Sequence, residues 1–340
     1  MLEAPFSEIR RPRVATSAND DIATKQKLSM TVTRILGEAD GIKSFELRKP
    51  DGGELPAFTA GAHIEVHLPQ GMIRSYSLCN DPAERNRYVF AVLREEGGRG
   101  GSRHLHDNVH EGAALTITAP RNHFPLAGRE ARFHLLLAGG IGVTPMIAMI
   151  AELERRAARW QLHYCTRNRA RTVFLDRLAP HIEAGKVVLH HDDGDPARGL
   201  DIKSLLTGFE IGTHLYYCGP PGFMRACGES LEPWPPHAVH REFFTGGGLP
   251  ASGDNEPFEI KLRSSGAVLP VPAGKSIVDV LNAHGVGVET DCKEGYCGTC
   301  ITRYFAGVPE HRDTVLSDKE RRTYVMVCCA RAKGVLELDL

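Results

Sequence analysis

The chain has 340 residues, of which 42% are hydrophobic, so it is long enough to form two or three compact domains. Its formal net charge of −1 gives no electrostatic reason to expect nucleic acid or an anionic membrane as a partner. The sequence contains no apolar run of membrane-spanning length, and its first residues lack the apolar region of a secretory signal, so we expect a cytoplasmic protein.

Residues 1–26 show no sustained apolar period, which predicts an N-terminal tail that is mobile or loosely docked. Between residues 27 and 128 the pattern changes to short alternating segments: MTVTRI, IKSFELRK, HIEVHL, YVFAVLRE and ALTITAP. Turn-forming stretches such as DGGEL and NDPAERN separate them. Many short strands without a helical period predict a β-sandwich or, as we expect here, an antiparallel β-barrel.

Residues 129–244 alternate segments of strand length with segments of helical period. RFHLLLAG, WQLHYCT, KVVLHH and THLYYCG have the composition of buried strands. After the interruption GGIG, the segment TPMIAMIAELERRAAR has helical spacing, with Thr144 expected as the N-cap and Pro145 at the first helical position. The alternation predicts an open parallel α/β sheet.

Residues 245–257, TGGGLPASGDNEP, are rich in Gly, Pro and Ser and predict a linker. A third domain is expected at residues 258–340, where FEIKLRSSGAVLPVP predicts a hairpin. SIVDVLNAHG predicts a short helix, with Ser276 and Asp279 spaced as a capping box and Gly285 as its stop.

The segment DCKEGYCGTC, residues 291–300, places three cysteines close together. Cys292, Cys297 and Cys300 have the C-x4-C-x2-C spacing of a plant-type 2Fe-2S centre, whereas structural zinc sites usually contain two short cysteine pairs. The intervening glycines allow backbone N–H groups to turn towards a cluster. Cys328 and Cys329 compete for the fourth position, and spacing alone does not decide between them. Cys79, Cys165, Cys218 and Cys227 are expected as buried thiols by default.

Three further motifs suit a flavin and a dinucleotide. RSYSL, residues 74–78, offers an arginine for a phosphate, a ring for an isoalloxazine and a hydroxyl for flavin N5. On a strand, however, such a pattern usually reflects only the alternation of exposed and buried side chains. GGRGGSRHLH, residues 97–106, offers N–H donors before a helical stretch, as a phosphate requires, or else forms a flexible hairpin. AGGIGVTP, residues 138–145, lacks the third glycine of G-x-G-x-x-G.

From about Lys27 to the end, the order of these motifs resembles the reductases of bacterial Rieske-type oxygenases, of the phthalate dioxygenase reductase and vanillate O-demethylase reductase type. The resemblance implies a flavin barrel, an NAD-binding α/β domain and a C-terminal β-grasp ferredoxin domain, with Cys328 as the fourth cluster ligand. It also assigns the cofactor-binding residues. The expected FMN residues are Arg74, Tyr76, Ser77, Ala91, Val92, Gly100, Gly101, Ser102, Thr144 and Phe244. The expected NAD residues are Gly140, Gly142, Thr144, Pro145, Thr166, Arg167, Cys218, Gly219, Pro220 and Met224.

Two segments allow more than one interpretation. HREFF, residues 240–244, resembles the family's H-x-E-x-F segment, whose last aromatic lies against the flavin; Phe244 corresponds to it, and Phe243 is the alternative. The run of His and Asp at residues 190–193 could suggest a metal site, but adjacent residues of a strand point to opposite faces, so a loop bordering the nucleotide is expected.

The resemblance implies that NADH reduces FMN, and that electrons then pass through the 2Fe-2S cluster to a Rieske-type oxygenase. A reductase for a cytochrome P450 is the alternative, and a zinc module on a degenerate flavin fold is the rival from another class. Arg167, Arg169 and Arg171 would by themselves favour NADPH, whereas the resemblance favours NADH. No catalytic residue is expected beyond the cofactors, although Cys218 and Ser77 should lie near the hydride-transfer site. The free chain is expected to be a monomer.

Overall fold

The structure is a computed structural model that describes residues 26–98, 100–128, 130–244, 255–290, 295, 298–313, 315–316, 318 and 320–340. These residues form two compact units, the first of which ends at Phe244. The predicted tail, residues 1–26, and the predicted linker, residues 245–257, lie almost entirely outside the described residues. No described helix has both the length and the apolar composition that a membrane crossing requires.

An antiparallel sheet forms the first part of the larger unit. Its strands are β1 (Lys27–Ala39), β2 (Ile42–Arg48), β3 (Ala62–His67), β4 (Ile73–Ser77), β5 (Tyr88–Leu93), β6 (Ala114–Thr118) and β7 (Arg121–Asn122). The order is β4-β3-β6-β1-β2-β5, with β7 paired to β3. A bridge between Leu78 and Phe90 joins the two ends of this order, so the sheet closes into the predicted barrel.

Alternation of side chains explains why these segments form a barrel. Leu28, Met30 and Val32 occupy alternate positions of β1 and are all buried, so one face of the strand points inward. Phe45 of β2 and Phe90 of β5 stack inside, with ring centroids 5.2 Å apart. The one helix that the structure describes within this part, α1 (Gly101–Asn108), follows β5.

The second part of the larger unit is a parallel sheet. It consists of β8 (Phe133–Gly139), β9 (Trp160–Thr166), β10 (Val187–His191), β11 (Thr213–Cys218) and β12 (Val239–Glu242). The helices are α2 (Thr144–Arg155), α3 (Leu175–Glu183), α4 (Ile202–Thr207) and α5 (Pro221–Glu229). The strand order is β10-β9-β8-β11-β12. The chain therefore reverses its direction of growth between β8 and β11, which is where open α/β sheets bind ligands.

Helix α2 begins one residue earlier than the sequence predicted. Thr144 is its first residue rather than its N-cap, and Val143 at the N-cap already has helical backbone angles of −70° and −20°. The reason is that Gly140–Val143 forms a 3-10 turn that continues directly into the helix. The hydroxyl of Thr144 donates backwards to the carbonyl of Ile141 at 3.0 Å instead of capping the helix.

The smaller unit has the β-grasp arrangement. Its elements are β13 (Phe258–Leu262), β14 (Val268–Val271), α6 (Ile277–Ala283), β15 (Ile301–Glu310), β16 (Tyr324–Met326) and β17 (Arg331–Leu338). The order is β14-β13-β17-β15-β16, with β13 and β17 parallel. The predicted capping box is confirmed, because Ser276 and Asp279 each accept a hydrogen bond from the other's backbone N–H.

Buried histidines stack in the parallel sheet. His214 and His240 lie with ring centroids 5.3 Å apart, and His240 stacks on Tyr216 at 4.4 Å. On the other side of Tyr216, His134 stacks at 5.8 Å and is only 2% exposed. Burial lowers the pKa of His134 and of His240 from 6.5 to about 4, so both rings are neutral at neutral pH.

These histidines predict that the protein loses stability in mild acid. Because the folded pKa lies below the ordinary 6.5, the unfolded chain binds more protons between pH 6.5 and pH 4, and the free energy of unfolding falls as the pH is lowered through that window. His134→Phe keeps the stacked ring and removes the titrating group. It should reduce the loss of stability between pH 7 and pH 4.5 by on the order of 2 kcal/mol, measured by urea unfolding.

The matched control is His110→Gln, since His110 is exposed on the barrel. This variant should keep the wild-type dependence of stability on pH. A His134→Phe profile that runs parallel to the wild-type profile would contradict the assignment of acid sensitivity to the buried ring.

Candidate functional site

Two backbones meet where the parallel sheet changes direction. A Cβ atom added to Gly142, in the turn after β8, would lie 2.2 Å from the carbonyl oxygen of Cys218 at the end of β11, and 2.7 Å from the nitrogen of Gly219. Only glycine fits at this distance. The glycine turn predicted as a nucleotide motif is therefore also the contact that fixes the two strand ends side by side.

Three polar or reactive side chains converge beside this contact. The hydroxyl of Ser77, at the end of β4, donates to Oε2 of Glu242 at 3.1 Å. Glu242 ends β12 and lies opposite Cys218 in the register of β11 and β12. Cys218 is fully buried, and burial first and the Glu242 carboxylate second raise the pKa of its thiol well above the ordinary value. The thiol is therefore protonated and uncharged at neutral pH.

Glu242 was missed as a site residue by sequence reasoning. The segment HREFF was singled out for its aromatic residues, and the acid between them carried no separate signal. Its position as the last residue of a strand, in the same motif, could have indicated it, because the carboxyl ends of parallel strands share one edge of the sheet.

The barrel residues expected to bind the flavin lie beside two stacked aromatic rings. The ring of Tyr76 stacks on Phe90, with centroids 5.1 Å apart, and is half-buried. Ala91 and Val92 continue β5 beside it, at 5% and 1% exposure. The carbonyl of Val92 lies 2.9 Å from Nε2 of His106, so that carbonyl is already engaged by α1. A flat ring laid along Tyr76 would find apolar contacts on this side.

The glycine loop before α1 carries the predicted phosphate site. Gly100 has a φ of +87° and is the N-cap of the helix. A Cβ at Gly101 would lie 2.9 Å from the Cγ and Nε atoms of Arg74, so the arginine side chain folds over the helix N-terminus. The hydroxyl of Ser102 accepts the N–H of Glu95 at 3.1 Å, which ties the loop to the end of β5. Positive charge and free N–H groups at one helix end suit a phosphate.

The neighbouring phenylalanines of HREFF lie on different sides of the sheet. Phe244 packs against the core cluster that contains the barrel residues, whereas Phe243 packs against the second cluster, with Leu215 and Trp234. The guanidinium of Arg241 lies 5.7 Å from the ring centroid of Phe243. Of the two rings, Phe244 is thus the one on the side of the barrel.

Some of the remaining residues expected to bind NAD lie at the edge of the sheet. The others lie elsewhere. Gly140, Gly219 and Pro220 lie in the turns that follow β8 and β11, and Pro145 is the second residue of α2. The hydroxyl of Thr166 lies 2.8 Å from that of Thr172 and 3.0 Å from Nδ1 of His191, so internal contacts occupy it. Met224 is buried in the second core cluster. Arg167 is exposed just beyond β9.

The histidine and aspartate run at residues 190–193 spans the end of a strand and the turn that follows it. His190 and His191 are the last two residues of β10, so the expectation of a loop is wrong for them and holds only from Asp192 onwards. The ring of His190 lies 3.0 Å from the ring of His163, and His191 is bonded to Thr166. Within the described ranges, no group of three His, Cys, Asp or Glu side chains is arranged to hold a metal ion.

Cys292 and Cys297 of the predicted cluster site lie outside the described residues, whereas Cys300 and Cys328 are described and buried. Hydrogen bonds with the thiols of Cys300 and Cys329 lower the pKa of Cys328 to about 4. A Cβ at Gly295, whose φ is +79°, would lie 2.6 Å from Sγ of Cys329. A glycine with no room for a side chain, packed against the sulfur next to Cys328, fits a plant-type 2Fe-2S cluster.

Known proteins show the same combination of parts. Residues 260–333 match the family described as the 2Fe-2S iron-sulfur cluster binding domain. The chain is 47% identical to the tert-butanol monooxygenase / tert-amyl alcohol desaturase reductase subunit of Aquincola tertiaricarbonis, over 93% of this chain and 97% of that protein. It is 45% identical to vanillate O-demethylase oxidoreductase of Pseudomonas putida, over 89% of this chain and 96% of that protein.

Solved structures agree with these relatives. Phthalate dioxygenase reductase, described as a modular structure for electron transfer from pyridine nucleotides to [2Fe-2S], is 40% identical with a TM-score of 0.70, over 95% of this chain and 99% of that chain. Full-length CYP116B46 from Tepidiphilus thermophilus is 35% identical with a TM-score of 0.78, over 94% of this chain and 42% of that longer chain. The chain therefore belongs to the family of phthalate dioxygenase reductase and vanillate O-demethylase oxidoreductase, the flavin-, pyridine nucleotide- and 2Fe-2S-dependent reductase components of oxygenase systems.

Proposed function

We propose that this chain takes electrons from NADH onto FMN and passes them through a 2Fe-2S cluster to a Rieske-type oxygenase. The observation that carries the proposal is the hydrogen bond between Ser77 and Glu242, because it joins the end of a flavin-side strand to the nucleotide edge of the parallel sheet. When bound, the flavin would supply hydride acceptance and the cluster one-electron transfer. We place the flavin barrel at residues 27–128, the nucleotide domain at 129–244 and the cluster domain at 258–340.

The protein's own contribution is placement and exclusion of water. Ser77 is 4% exposed and Cys218 is fully buried, so little solvent reaches the point where the two rings would meet. Glu242 holds the Ser77 hydroxyl in a fixed direction. The protonated thiol of Cys218 offers an uncharged surface for the nicotinamide. No proton donor or acceptor is required for hydride transfer, in agreement with a site built of neutral or paired groups.

FMN is proposed because the phosphate site suits a terminal phosphate. Arg74 folds over Gly101 at the start of α1, and the N–H groups there point away from any intrahelical partner. A phosphate monoester with two negative charges gains from both the guanidinium and the helix N-terminus. We propose that Gly100, Gly101 and Ser102 bind it through their backbone.

NADH is proposed because of the similarity to the family. Three exposed arginines favour NADPH instead. Arg167, Arg169 and Arg171 are all exposed beyond β9, and in the described part of the chain none of them lies within ion-pair distance of a carboxylate. Free guanidinium groups at this position would suit the 2′-phosphate of NADPH. The coenzyme must therefore be compared directly.

The proposed partner is a Rieske-type terminal oxygenase that acts on an aromatic or small organic acid. The similar proteins include an O-demethylase oxidoreductase and a phthalate dioxygenase reductase, whose names connect them to oxygenases. A cytochrome P450 is the second candidate, favoured by the similarity to CYP116B46. Turnover with one purified oxygenase of each kind would distinguish the two.

The decisive experiment is an anaerobic titration of the purified protein with NADH and with NADPH, followed by visible absorbance, together with iron and acid-labile sulfide assays. We expect bleaching of a flavin band and of a broad red shoulder, about two irons per chain, FMN as the flavin released by denaturation, and a higher kcat/KM for NADH. A colourless protein that holds zinc would overturn the function. A higher kcat/KM for NADPH would overturn only the coenzyme assignment.

Removal of the hydroxyl that joins the two halves of the site should slow flavin reduction. In Ser77→Ala, we expect the first-order rate of flavin bleaching at saturating NADH to fall by about tenfold to a hundredfold, because small misplacement of the reacting rings is costly. Stopped-flow absorbance measures this rate. Ser75→Ala is the control, since Ser75 is exposed on the same strand. Equal rates in the two variants would contradict the role of Ser77.

The fourth cluster ligand is decided by a pair of adjacent substitutions. Cys328→Ser should lose iron and sulfide and abolish cytochrome c reduction, while flavin reduction by NADH is retained. Cys329→Ser should keep both the cluster and cytochrome c reduction, because Cys328 is the more deeply buried of the two sulfurs. The opposite result, with the cluster lost only in Cys329→Ser, would reassign the ligand.

A further inference from the structure

A buried aspartate lies in the loop after β15, next to Gly295. The side chain of Asp313 has no exposed surface. Its Oδ2 accepts the backbone N–H groups of Leu316 at 2.8 Å and Val315 at 3.2 Å. Its Oδ1 lies 3.6 Å from Nδ1 of His311 and accepts no hydrogen bond within the described ranges. Burial of a carboxylate is costly, which calls for a reason.

Asp313 adjoins the glycine loop that carries the predicted cluster ligands. A Cβ at Gly295 would lie 3.2 Å from Cα of Asp313 and 3.4 Å from the carbonyl oxygen of Arg312. The same Cβ would touch the sulfur of Cys329. The backbone of Asp313 therefore packs directly against Gly295, which belongs to the segment that carries the predicted ligands.

Arg321 connects the backbone of Asp313 to the rest of the domain. Its Nη2 donates to the backbone carbonyl of Asp313 at 2.8 Å and lies 3.6 Å from Oδ2 of the carboxylate. The carbonyl of Arg321 accepts the hydroxyl of Tyr304 at 2.9 Å and lies 3.1 Å from Nε2 of His311. Strand β15, the Asp313 loop and the Glu320–Arg322 turn are held together by these bonds.

The other charged groups nearby are compensated or neutral. Arg312 forms an ion pair with Glu310 at 2.8 Å. Burial lowers the pKa of His311, so this ring is neutral at neutral pH. Among the described residues around Gly295, Asp313 and Arg321 thus form a pair of opposite charges. The carboxylate is fully buried and the guanidinium is 33% exposed, so the negative charge is the less screened of the two.

We infer that Asp313 and Arg321 are positioning residues that hold the backbone at Gly295 in place and, through their opposite charges, set the reduction potential of the 2Fe-2S cluster. The inference rests on the proposed function, since it requires the cluster. A reduced cluster carries one more negative charge than an oxidised one. Asp313 therefore opposes reduction and Arg321 favours it.

The test is a redox titration of the holoenzyme, followed by the electron paramagnetic resonance signal of the reduced cluster. Asp313→Asn keeps the shape and removes the negative charge, so the ratio of reduced to oxidised cluster at a fixed ambient potential should rise about threefold or more. Arg321→Gln removes the positive charge, and the same ratio should fall by a similar factor. A role in folding alone would not produce opposite signs.

Two exposed neighbours provide matched controls, Asp318→Asn and Arg322→Gln. Both make the same change of charge in water, and both should leave the ratio unchanged. Arg321→Lys keeps the positive charge and should restore the wild-type ratio. Loss of iron and sulfide in Asp313→Asn would support the role of Asp313 in positioning Gly295. In that case Arg321→Gln and Arg321→Lys test the effect of charge on the potential.

The inference is overturned if Arg321→Gln and Asp313→Asn move the ratio in the same direction or leave it unchanged, or if the controls move it equally. A wild-type protein without iron and sulfide would instead overturn the proposed function. The metal assay on the wild type therefore distinguishes the two failures.

Discussion

The site at the edge of the parallel sheet depends on how closely the turn after β8 approaches the end of β11. At Gly142 the neighbouring backbone occupies the space of a Cβ atom, so any other residue would push the two strand ends apart. Cys218, at the end of β11, in turn lies opposite Glu242 in the register of β11 and β12. Glu242 accepts a hydrogen bond from the hydroxyl of Ser77.

The same constraint recurs in the smaller unit. At Gly295 the sulfur of Cys329 and the backbone of Asp313 fill the space of a Cβ atom. In both units a glycine lets the chain pass within van der Waals distance of another backbone or sulfur, and in both a carboxylate lies close by, half-buried in Glu242 and fully buried in Asp313. Glycine allows the close contact, and the carboxylate accepts hydrogen bonds from polar groups nearby.

Much of the fold followed from local patterns. Alternation predicted β1 through Leu28, Met30 and Val32, because successive side chains of a strand face opposite sides. The capping box of Ser276 and Asp279 was predicted correctly, because it involves atoms only three residues apart. The start of α2 was wrong by one residue, since the preceding 3-10 turn depends on the tertiary contact of Gly142 rather than on local capping preference.

The sequence by itself determined the succession of an antiparallel and a parallel sheet, and the cysteine spacing, because each of these is a short-range pattern of residue types. Only the tertiary structure decided that Glu242 bonds Ser77, 165 residues away, that Phe244 rather than Phe243 lies on the barrel side, and that the backbone of Asp313 lies against Gly295. Such pairings depend on which strand ends share an edge and which faces are buried, and no local spacing encodes either property.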